Sequence, residues 1–454
     1  MGKFKYSESE KKINKVLKHH DDILKSIPSL DAEHANMNES IALSEALLKE
    51  LGLADNVNHL KNSPSPVQKQ KKVIQMPSWE DVLNDASMSV PEDVDLRSLF
   101  TEEELKSNER YLKHLREDFN TIHRLDAIDY SICIAAGILA AAVDIFLVGI
   151  PEKTKNGIIA GPLSNYIREK FDEAIPGETI KKLERKFKVP YDASTNYTLN
   201  EYVDGLSSWF HRYHSLGHDP ILGFIFGVFD IMRGRFTAID KNGKLISQVV
   251  GDVPEGMSIF KAIGQVFGHM KSDVNTSMGL PVPMMTLFNK FQFGSIGEEG
   301  LTIAEVARGM YADGYDFKHF CSMSIPTMII EVIVRISYCI KGLREGHPLK
   351  ESIPINGIRR KKPKLQTMLF ISHTICTAAN SGKVYFTQNP LAINYTEWMA
   401  FAKYSISQLK WTLYEKPNLR DDYVDGRLNE EWKNLQSLIN DAWGTIKQDY
   451  IVIK

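Results

Sequence analysis

The segment SICIAAGILAAAVDIFLVGI, residues 131–150, is twenty residues long and contains one charged side chain, Asp144. This length and composition meet the requirement for a helix that spans a bilayer. The alternative is a buried central helix, whose alanine and glycine residues let neighbouring helices approach closely. A spanning helix would lose a few kcal/mol to the carboxylate unless Asp144 is paired or functional. We therefore favour the buried helix and keep the spanning helix as the alternative.

Further apolar segments follow this helix, and each contains isolated charges. ILGFIFGVFDIM, residues 221–232, contains Asp230, and the apolar helix predicted around 324–341 contains Glu331 and Arg335. Charged residues inside otherwise apolar helices are typical of a large helical domain with a polar interior.

One segment has the alternation of a β-hairpin. In RFTAIDKNGKLISQ, residues 235–248, alternating residues flank Asn242-Gly243, which is a strong signal for a two-residue hairpin turn. We interpret it as a surface excursion between helices. The predicted fold class is therefore mainly α, a multi-helix bundle with one small β-hairpin excursion.

Changes in composition along the chain divide it into four parts. We predict an N-terminal helical segment at 1–60, a linker rich in proline, serine and lysine at 61–77, a helical core domain at 78–345 with the candidate metal site, and a C-terminal helical region at 346–454. Ser78, with Asp81 three residues later, is predicted to cap the first helix of the core domain.

The overall composition excludes several classes of protein. The chain has 454 residues and a net charge of −2, so it has no general attraction to nucleic acid, and we expect no nucleic-acid partner. Its four cysteines are scattered, which favours a reducing compartment. The N-terminus lacks the apolar core of a signal peptide. We expect a cytoplasmic protein, with association with a membrane as the alternative.

Histidines and an aspartate are grouped in two short segments. SSWFHRYHSLGHDP, residues 207–220, contains His211, His214 and His218 at spacing i, i+3 and i+7, which is one face of a helix. Some fifty residues later, His269 and Asp273 lie one helical turn apart.

This combination of side chains is what a transition-metal site requires, since imidazole suits borderline metals and carboxylate supplies charge. We predict a divalent transition metal, Zn or Mn, bound by His214, His218, His269 and Asp273. Asp144 would be a bridging ligand or the general base that orients a metal-bound water. The alternative is a structural hydrogen-bond cluster.

The second segment also carries a family resemblance, through the pattern H-x3-D-x2-T-x2-G-x-P. The residues of this pattern are His269, Asp273, Thr276, Gly279 and Pro281. It resembles the signature of the bacterial family of membrane-bound, metal-dependent hydrolases of the inner membrane. HRYHS, at 211–215, is similar to that family's upstream H-R-G-x-T-H-S element but is two residues shorter, and VDIF, at 143–146, is similar to its D-I-D-H element. Gln265 stands where the family has a glycine. The resemblance covers residues 140–285 and implies a hydrolase associated with the inner membrane.

These observations lead to two hypotheses about function. The first is a metal-dependent hydrolase acting on a phosphoester with an apolar part, such as a lipid, because Phe224, Phe226, Phe229 and Phe267 are expected to form apolar walls around the site. The partner would be a small-molecule or lipid substrate. The second is a non-enzymatic membrane-active or scaffold protein whose apolar helices insert or oligomerise. The sequence does not determine the oligomeric state.

Overall fold

The computed structural model describes residues 6–27, 30–62, 72–91, 94–155, 157–192, 202–252, 255–354, 362–449 and 451–453. The chain is mainly α-helical with short two-stranded sheets, which confirms the predicted fold class. The helices are α1 (Glu8–Ser26), α2 (Leu30–Glu50), α3 (Ala54–Asn62), α4 (Trp79–Ser89), α5 (Glu102–His123), α6 (Ala127–Ala142), α7 (Pro162–Ala174), α8 (Gly177–Lys186), α9 (His211–His214), α10 (Gly223–Arg233), α11 (Ile259–Asp273), α12 (Ile303–Ala312), α13 (Phe317–Arg344), α14 (Leu349–Ser352), α15 (Pro363–Thr387), α16 (Tyr395–Lys410) and α17 (Lys416–Asp449). The strands are β1 (Lys72–Ile74), β2 (Glu152–Thr154), β3 (Gly157–Ile159), β4 (Arg235–Ile239), β5 (Leu245–Val249) and β6 (Ile451–Ile453).

Contacts divide the chain into two compact units, residues 1–122 with 417–454 and residues 123–416. In the first unit α1 packs against α4, and β1 pairs in parallel with β6. Ser78 caps α4 as predicted, since its hydroxyl accepts from the Asp81 N–H and the Asp81 carboxylate accepts from the Ser78 N–H. The four-part division predicted from composition stays a prediction. Most of its linker, at 63–71, lies outside the described residues.

In the second unit α6, α13, α15 and α16 pack together as a helical bundle. Small residues of α6 make this packing close. Cys133, Ala136 and Ala140 are fully buried, and a Cβ on Gly137 would lie 2.8 Å from the Ile375 side chain. The predicted buried helix is thus buried on its small-residue side only. Its large apolar residues point outward, and Phe146, in the π-helical turn that follows α6, is 72% exposed.

Among the described residues, two helical segments are long and apolar enough to cross a membrane, one within Glu102–Val148 and the other at Phe317–Arg344. In the most apolar stretch of each segment, 39% of the residues are buried in the first and 22% in the second. Core helices of soluble proteins can meet the same length and composition.

The predicted hairpin is present, with Arg235 of β4 opposite Val249 of β5. Its turn uses Gly243 at a φ of 82°, a conformation that favours glycine. The expectation of a surface excursion is wrong for β4, because Phe236 and Ala238 are fully buried in a core cluster with Val266. β4 is therefore part of the core beside the histidine segment.

Candidate metal centre

Three side chains converge at the junction of the histidine segment and α11. The Nε2 atoms of His218 and His269 lie 3.3 Å apart, and the Asp273 Oδ2 is 3.5 Å from the first and 3.2 Å from the second. Ligand atoms on a tetrahedral zinc ion, each about 2.1 Å from it, are separated by about 3.4 Å. The three atoms therefore have the mutual spacing of metal ligands.

The predicted i, i+4 pair His269 and Asp273 is brought together because both lie on the last turn of α11. The pair His214 and His218 is not, because no continuous helix joins them. Ser215 has extended backbone angles, φ −77° and ψ 122°, and forms an antiparallel bridge with Ala238 of β4. This break turns His214 away from the cluster.

His214 lies on the other side of this segment. Its Nδ1 is 2.7 Å from the Ile239 carbonyl oxygen, so this nitrogen donates to β4. Burial lowers the pKa of His214 to about 4. The structure thus places His214, a predicted ligand, outside the group formed by the other three.

His211 takes the position expected for His214. Its Nε2 lies 3.5 Å from the Asp192 Oδ1, and both residues form, with His218, a second group of potential ligands. The two groups share His218, so five side chains line one centre. Asp192 is partly exposed, whereas the other four are buried.

Backbone carbonyls fix the orientation of two of these imidazoles. The Nδ1 of His269 is 3.0 Å from the Phe187 carbonyl oxygen, and the Nδ1 of His211 is 2.9 Å from that of Ser208. A carbonyl accepts a hydrogen bond, so each Nδ1 bears a proton and each Nε2 is directed into the cluster. Metal-binding histidines are commonly held by such contacts.

Within the described part of the chain, the buried Nε2 of His211 and the Oδ2 of Asp273 have no hydrogen-bond partner. Buried polar atoms without partners are costly. Burial lowers the pKa of His211 to about 4 and that of His218 well below its usual range, so both imidazoles are neutral at pH 7, the form that binds metals. Burial also raises the pKa of the Asp273 carboxyl, which a bound cation would counteract.

Thr276 and Gly279 of the H-x3-D-x2-T-x2-G-x-P pattern lie in the turns that follow Asp273. Arg212 places its Nη2 3.1 Å from the Asp273 Oδ1 and donates from Nη1 to the Thr276 hydroxyl. Gly279 has a φ of 63°, which turns the chain after α11, and its carbonyl accepts from the Tyr311 hydroxyl. The pattern therefore contains two potential ligands and the turn that follows them.

Asp144 lies apart from this centre. Its carboxylate accepts from the Asn380 and Asn394 side chains, each at 2.8 Å, and lies 3.3 Å from the Lys383 ammonium. All these partners come from the helical bundle or the segment leading into α16. Asp144 belongs to neither group of potential ligands, so its position does not fit the predicted role of bridging ligand or general base.

A cavity of about 660 Å³ opens onto the centre. Asp192, His211 and Asp273 line it together with the cationic residues Arg185, Lys188 and Arg212. None of the four phenylalanines expected as apolar walls, Phe224, Phe226, Phe229 and Phe267, lines it. Phe224, Phe229 and Phe267 are 41%, 49% and 63% exposed, and they lie on the outer sides of α10 and α11.

No protein-family model, curated protein or solved structure matches this chain.

Sequence reasoning missed Asp192 and gave Arg212 no role. Arg212 lies inside the HRYHS element, so that element could have identified Arg212 as a residue of the site. Asp192 is part of no motif. It directly follows Tyr191, whose ring packs against the rings of His218 and His269 at centroid distances of 5.0 and 5.9 Å.

Proposed function

We propose that this chain is a metal-dependent hydrolase whose metal is bound by His218, His269 and Asp273. The observation that supports it is the triangle of ligand atoms with sides of 3.2–3.5 Å, formed by two buried imidazoles and a buried carboxylate. Two nitrogens and one oxygen suit Zn or Mn, and three protein ligands leave a position open for water.

Each residue of the centre has a defined part in the proposal. A divalent metal would supply a nucleophile by lowering the pKa of its bound water. Asp192, the partly exposed carboxylate at the cavity, takes the proton of the attacking water, in place of Asp144. Arg212 holds the Asp273 carboxylate in position through its 3.1 Å contact.

The substrate class follows from the lining of the cavity. Its cations are Arg185, Lys188 and Arg212, and its carboxylates are Glu184, Asp192 and Asp273. Arg185 and Lys188 can pair with a phosphate, which favours a phosphoester. The family resemblance rests on His269 and Asp273 and supports the same type of reaction. A lipid would place its apolar part outside the cavity, since Val189 and Met278 are the apolar residues that line it.

Metal content of matched variants tests this proposal. Wild-type protein should bind one or two Zn or Mn ions per chain, and His218→Gln should lose at least one because it removes the ligand that both groups share. His214→Gln is the control, since both histidines are fully buried and only four residues apart. It should keep the wild-type content. Elemental analysis measures the metal, and circular dichroism confirms that each variant is folded.

Two results would contradict the proposal. One is wild-type protein that stays metal-free after incubation with Zn or Mn. The other is a folded His214→Gln variant that loses as much metal as His218→Gln. With metal present, hydrolysis of a chromogenic phosphodiester should occur in the wild type and be lost in His218→Gln.

A second candidate function is that of a membrane-active or scaffold protein. It is supported by the outward apolar residues of two helices, Ile134 and Ile138 on α6 and Val332 and Ile336 on α13. In this case the protein should remain in the membrane pellet after a carbonate wash and should bind no stoichiometric metal. Soluble protein obtained without detergent would exclude insertion of these helices.

A further inference from the structure

The long helix α17 has a stretch that no other part of the described chain covers. Every residue from 425 to 446 is exposed, over a length of about 33 Å at 1.5 Å per residue. α5 contacts α17 near the start of this stretch, where Phe119 packs against Tyr423 and the Tyr111 hydroxyl donates to Glu431. A helix without tertiary packing is only marginally stable in water, so this stretch requires a partner.

The apolar residues of the stretch follow a heptad repeat. They recur at alternating spacings of four and three residues, which is the pattern of a coiled coil. We call them the heptad stripe. Its residues are Leu428, Trp432, Leu435, Ile439, Ala442 and Ile446. Leu438 and Trp443 flank the stripe and are 67% and 44% exposed.

The residue types in the heptad stripe favour two parallel helices. With the seven positions of each heptad labelled a to g, the a positions are Trp432, Ile439 and Ile446, and the d positions are Leu428, Leu435 and Ala442. Isoleucine at a combined with leucine at d is the arrangement that favours a parallel pair of helices over larger bundles. A second α17 is therefore a matching partner.

The positions beside the stripe are also compatible between two copies. In a parallel pair, each g residue faces the e residue of the next heptad on the other chain. Leu438 of one chain then contacts Trp443 of the other, which extends the apolar contact. Glu431 lies opposite Gln436, so these positions bring no like charges together.

The exposed apolar area is of the size that a stable dimer needs. Seven large side chains, those of the heptad stripe apart from Ala442 together with Leu438 and Trp443, are between 37% and 67% exposed. At roughly 100 Å² each, they would cover about 700 Å² on each chain, which approaches the roughly 800 Å² per partner of a standard interface.

We propose that α17 joins two copies of this chain in a parallel coiled coil along the heptad stripe. The same stripe faces itself across a two-fold axis, so the assembly closes as a dimer. An anionic lipid surface fits the helix less well, because residues 428–446 contain three acidic residues and one basic residue, whereas helices that lie on membranes are rich in lysine and arginine. The dimer uses no residue of the metal centre and does not rest on the proposed hydrolase.

Analytical ultracentrifugation of the full-length protein tests the inference. Wild-type protein at about 10 μM should sediment as a dimer. Leu435→Glu with Ile439→Glu should weaken the association at least about a hundredfold, because it places charges at adjacent d and a positions of both chains. Ala442→Leu should strengthen it at least about tenfold, because a larger apolar side chain then fills a d position.

The outer side of the same helix supplies the matched control. Asn434→Glu with Ser437→Glu adds the same two charges at positions c and f, so it should dimerise like the wild type. His218→Gln should also remain dimeric whether or not it binds metal, which separates this inference from the proposed hydrolase. A cooperative thermal unfolding transition in each variant shows that the rest of the chain is folded.

Disulfide formation tests the direction of the two helices. In a parallel pair in register, the two copies of a d position face each other, so Ala442→Cys treated with copper phenanthroline should link two chains. Asn434→Cys, on the outer side, should link them no more than the wild type does.

Three results would overturn the inference. The first is a wild type that is monomeric at the concentration given above, and sedimentation of that monomer with phosphatidylcholine vesicles would make the stripe a membrane contact. The second is a dimer that Leu435→Glu with Ile439→Glu weakens no more than the control does, which would place the contact elsewhere. The third is a dimer in which Ala442→Cys forms no link between chains, which would exclude the parallel pair.

Discussion

At the scale of single residues, side chains of the same type differ in role through the atoms that face them. His214 and His218 are both fully buried, yet one donates to the Ile239 carbonyl and the other faces His269 and Asp273. The aspartates differ in the same way. Asp273 has an oxygen without a hydrogen-bond partner among the described residues, whereas both oxygens of Asp144 accept hydrogen bonds from amides.

The pairing of Asp144 with Lys383 predicts a loss of stability in Asp144→Asn. The two side chains are 2% and 7% exposed and 3.3 Å apart, so the variant leaves a buried ammonium without its carboxylate. We expect a loss of about 3 kcal/mol in the free energy of unfolding, which is typical of a broken buried pair. Denaturant titration with and without added metal measures it.

The double variant Asp144→Asn with Lys383→Met is the control, because it removes both charges and should recover part of the loss. A destabilisation that added zinc reverses would instead connect Asp144 with the metal centre.

At the scale of elements, short interruptions decide where the histidines face. The bridge between Ser215 and Ala238 ends α9 after one turn, and the 3₁₀ turn Leu216–His218 then directs His218 towards α11. This turn requires Gly217, because a Cβ there would lie 2.7 Å from ring carbons of Tyr191. The ring of Tyr191 thereby packs edge-on against the ring of His218.

The junction of α10 with β4 predicts a pH dependence. The Asp230 carboxylate accepts from the Thr237 N–H at 2.9 Å and from the Thr237 hydroxyl at 2.6 Å. Burial nevertheless raises the pKa of Asp230 to about 6, above its usual value of 3.8. The folded state therefore holds a proton that the unfolded state releases, and stability falls as the pH rises from about 4 to 6, by about 1.4 kcal/mol per unit.

Asp230→Asn isolates this contribution, because the amide keeps both contacts with Thr237 and does not titrate. Between pH 4 and 6, the free energy of unfolding of Asp230→Asn should fall less steeply than that of the wild type. At pH 8 it should match or exceed the wild-type value. Denaturant titrations across this range measure the difference. Parallel slopes in the two proteins would mean that Asp230 keeps an ordinary pKa in the folded chain.

At the scale of the whole molecule, the potential metal ligands among the described residues belong to one of the two compact units. Both groups lie within residues 123–416, in segments that meet at the inner side of α11. A ligand that binds only the folded state stabilises the unit that contains its site. Metal binding should therefore be detectable as a local change in stability.

Amide hydrogen exchange measures this change. At free zinc about a hundredfold above its dissociation constant, the unit that contains the centre should gain about 2.7 kcal/mol, which slows the exchange of its most protected amides by about a hundredfold. The amides of α1 and α4, in the other unit, should not change. His218→Gln should show no effect of zinc, and equal protection of both units in the wild type would contradict a centre confined to residues 123–416.

The sequence by itself determined the fold class, the cap at Ser78, the hairpin turn and the pair His269 and Asp273. All of these depend on local spacing, since a helix repeats every 3.6 residues and brings i and i+4 to one side.

Only the tertiary structure decided the rest of the centre. Whether His211 or His214 joins His218 depends on the bridge from Ser215 to Ala238, a partner 23 residues away in the chain. Asp192 lies at the centre beside Tyr191, which packs against His218. Asp144 lies outside the centre, where its buried partner is Lys383, distant in sequence. These contacts join residues far apart in the chain, so local periodicity does not encode them.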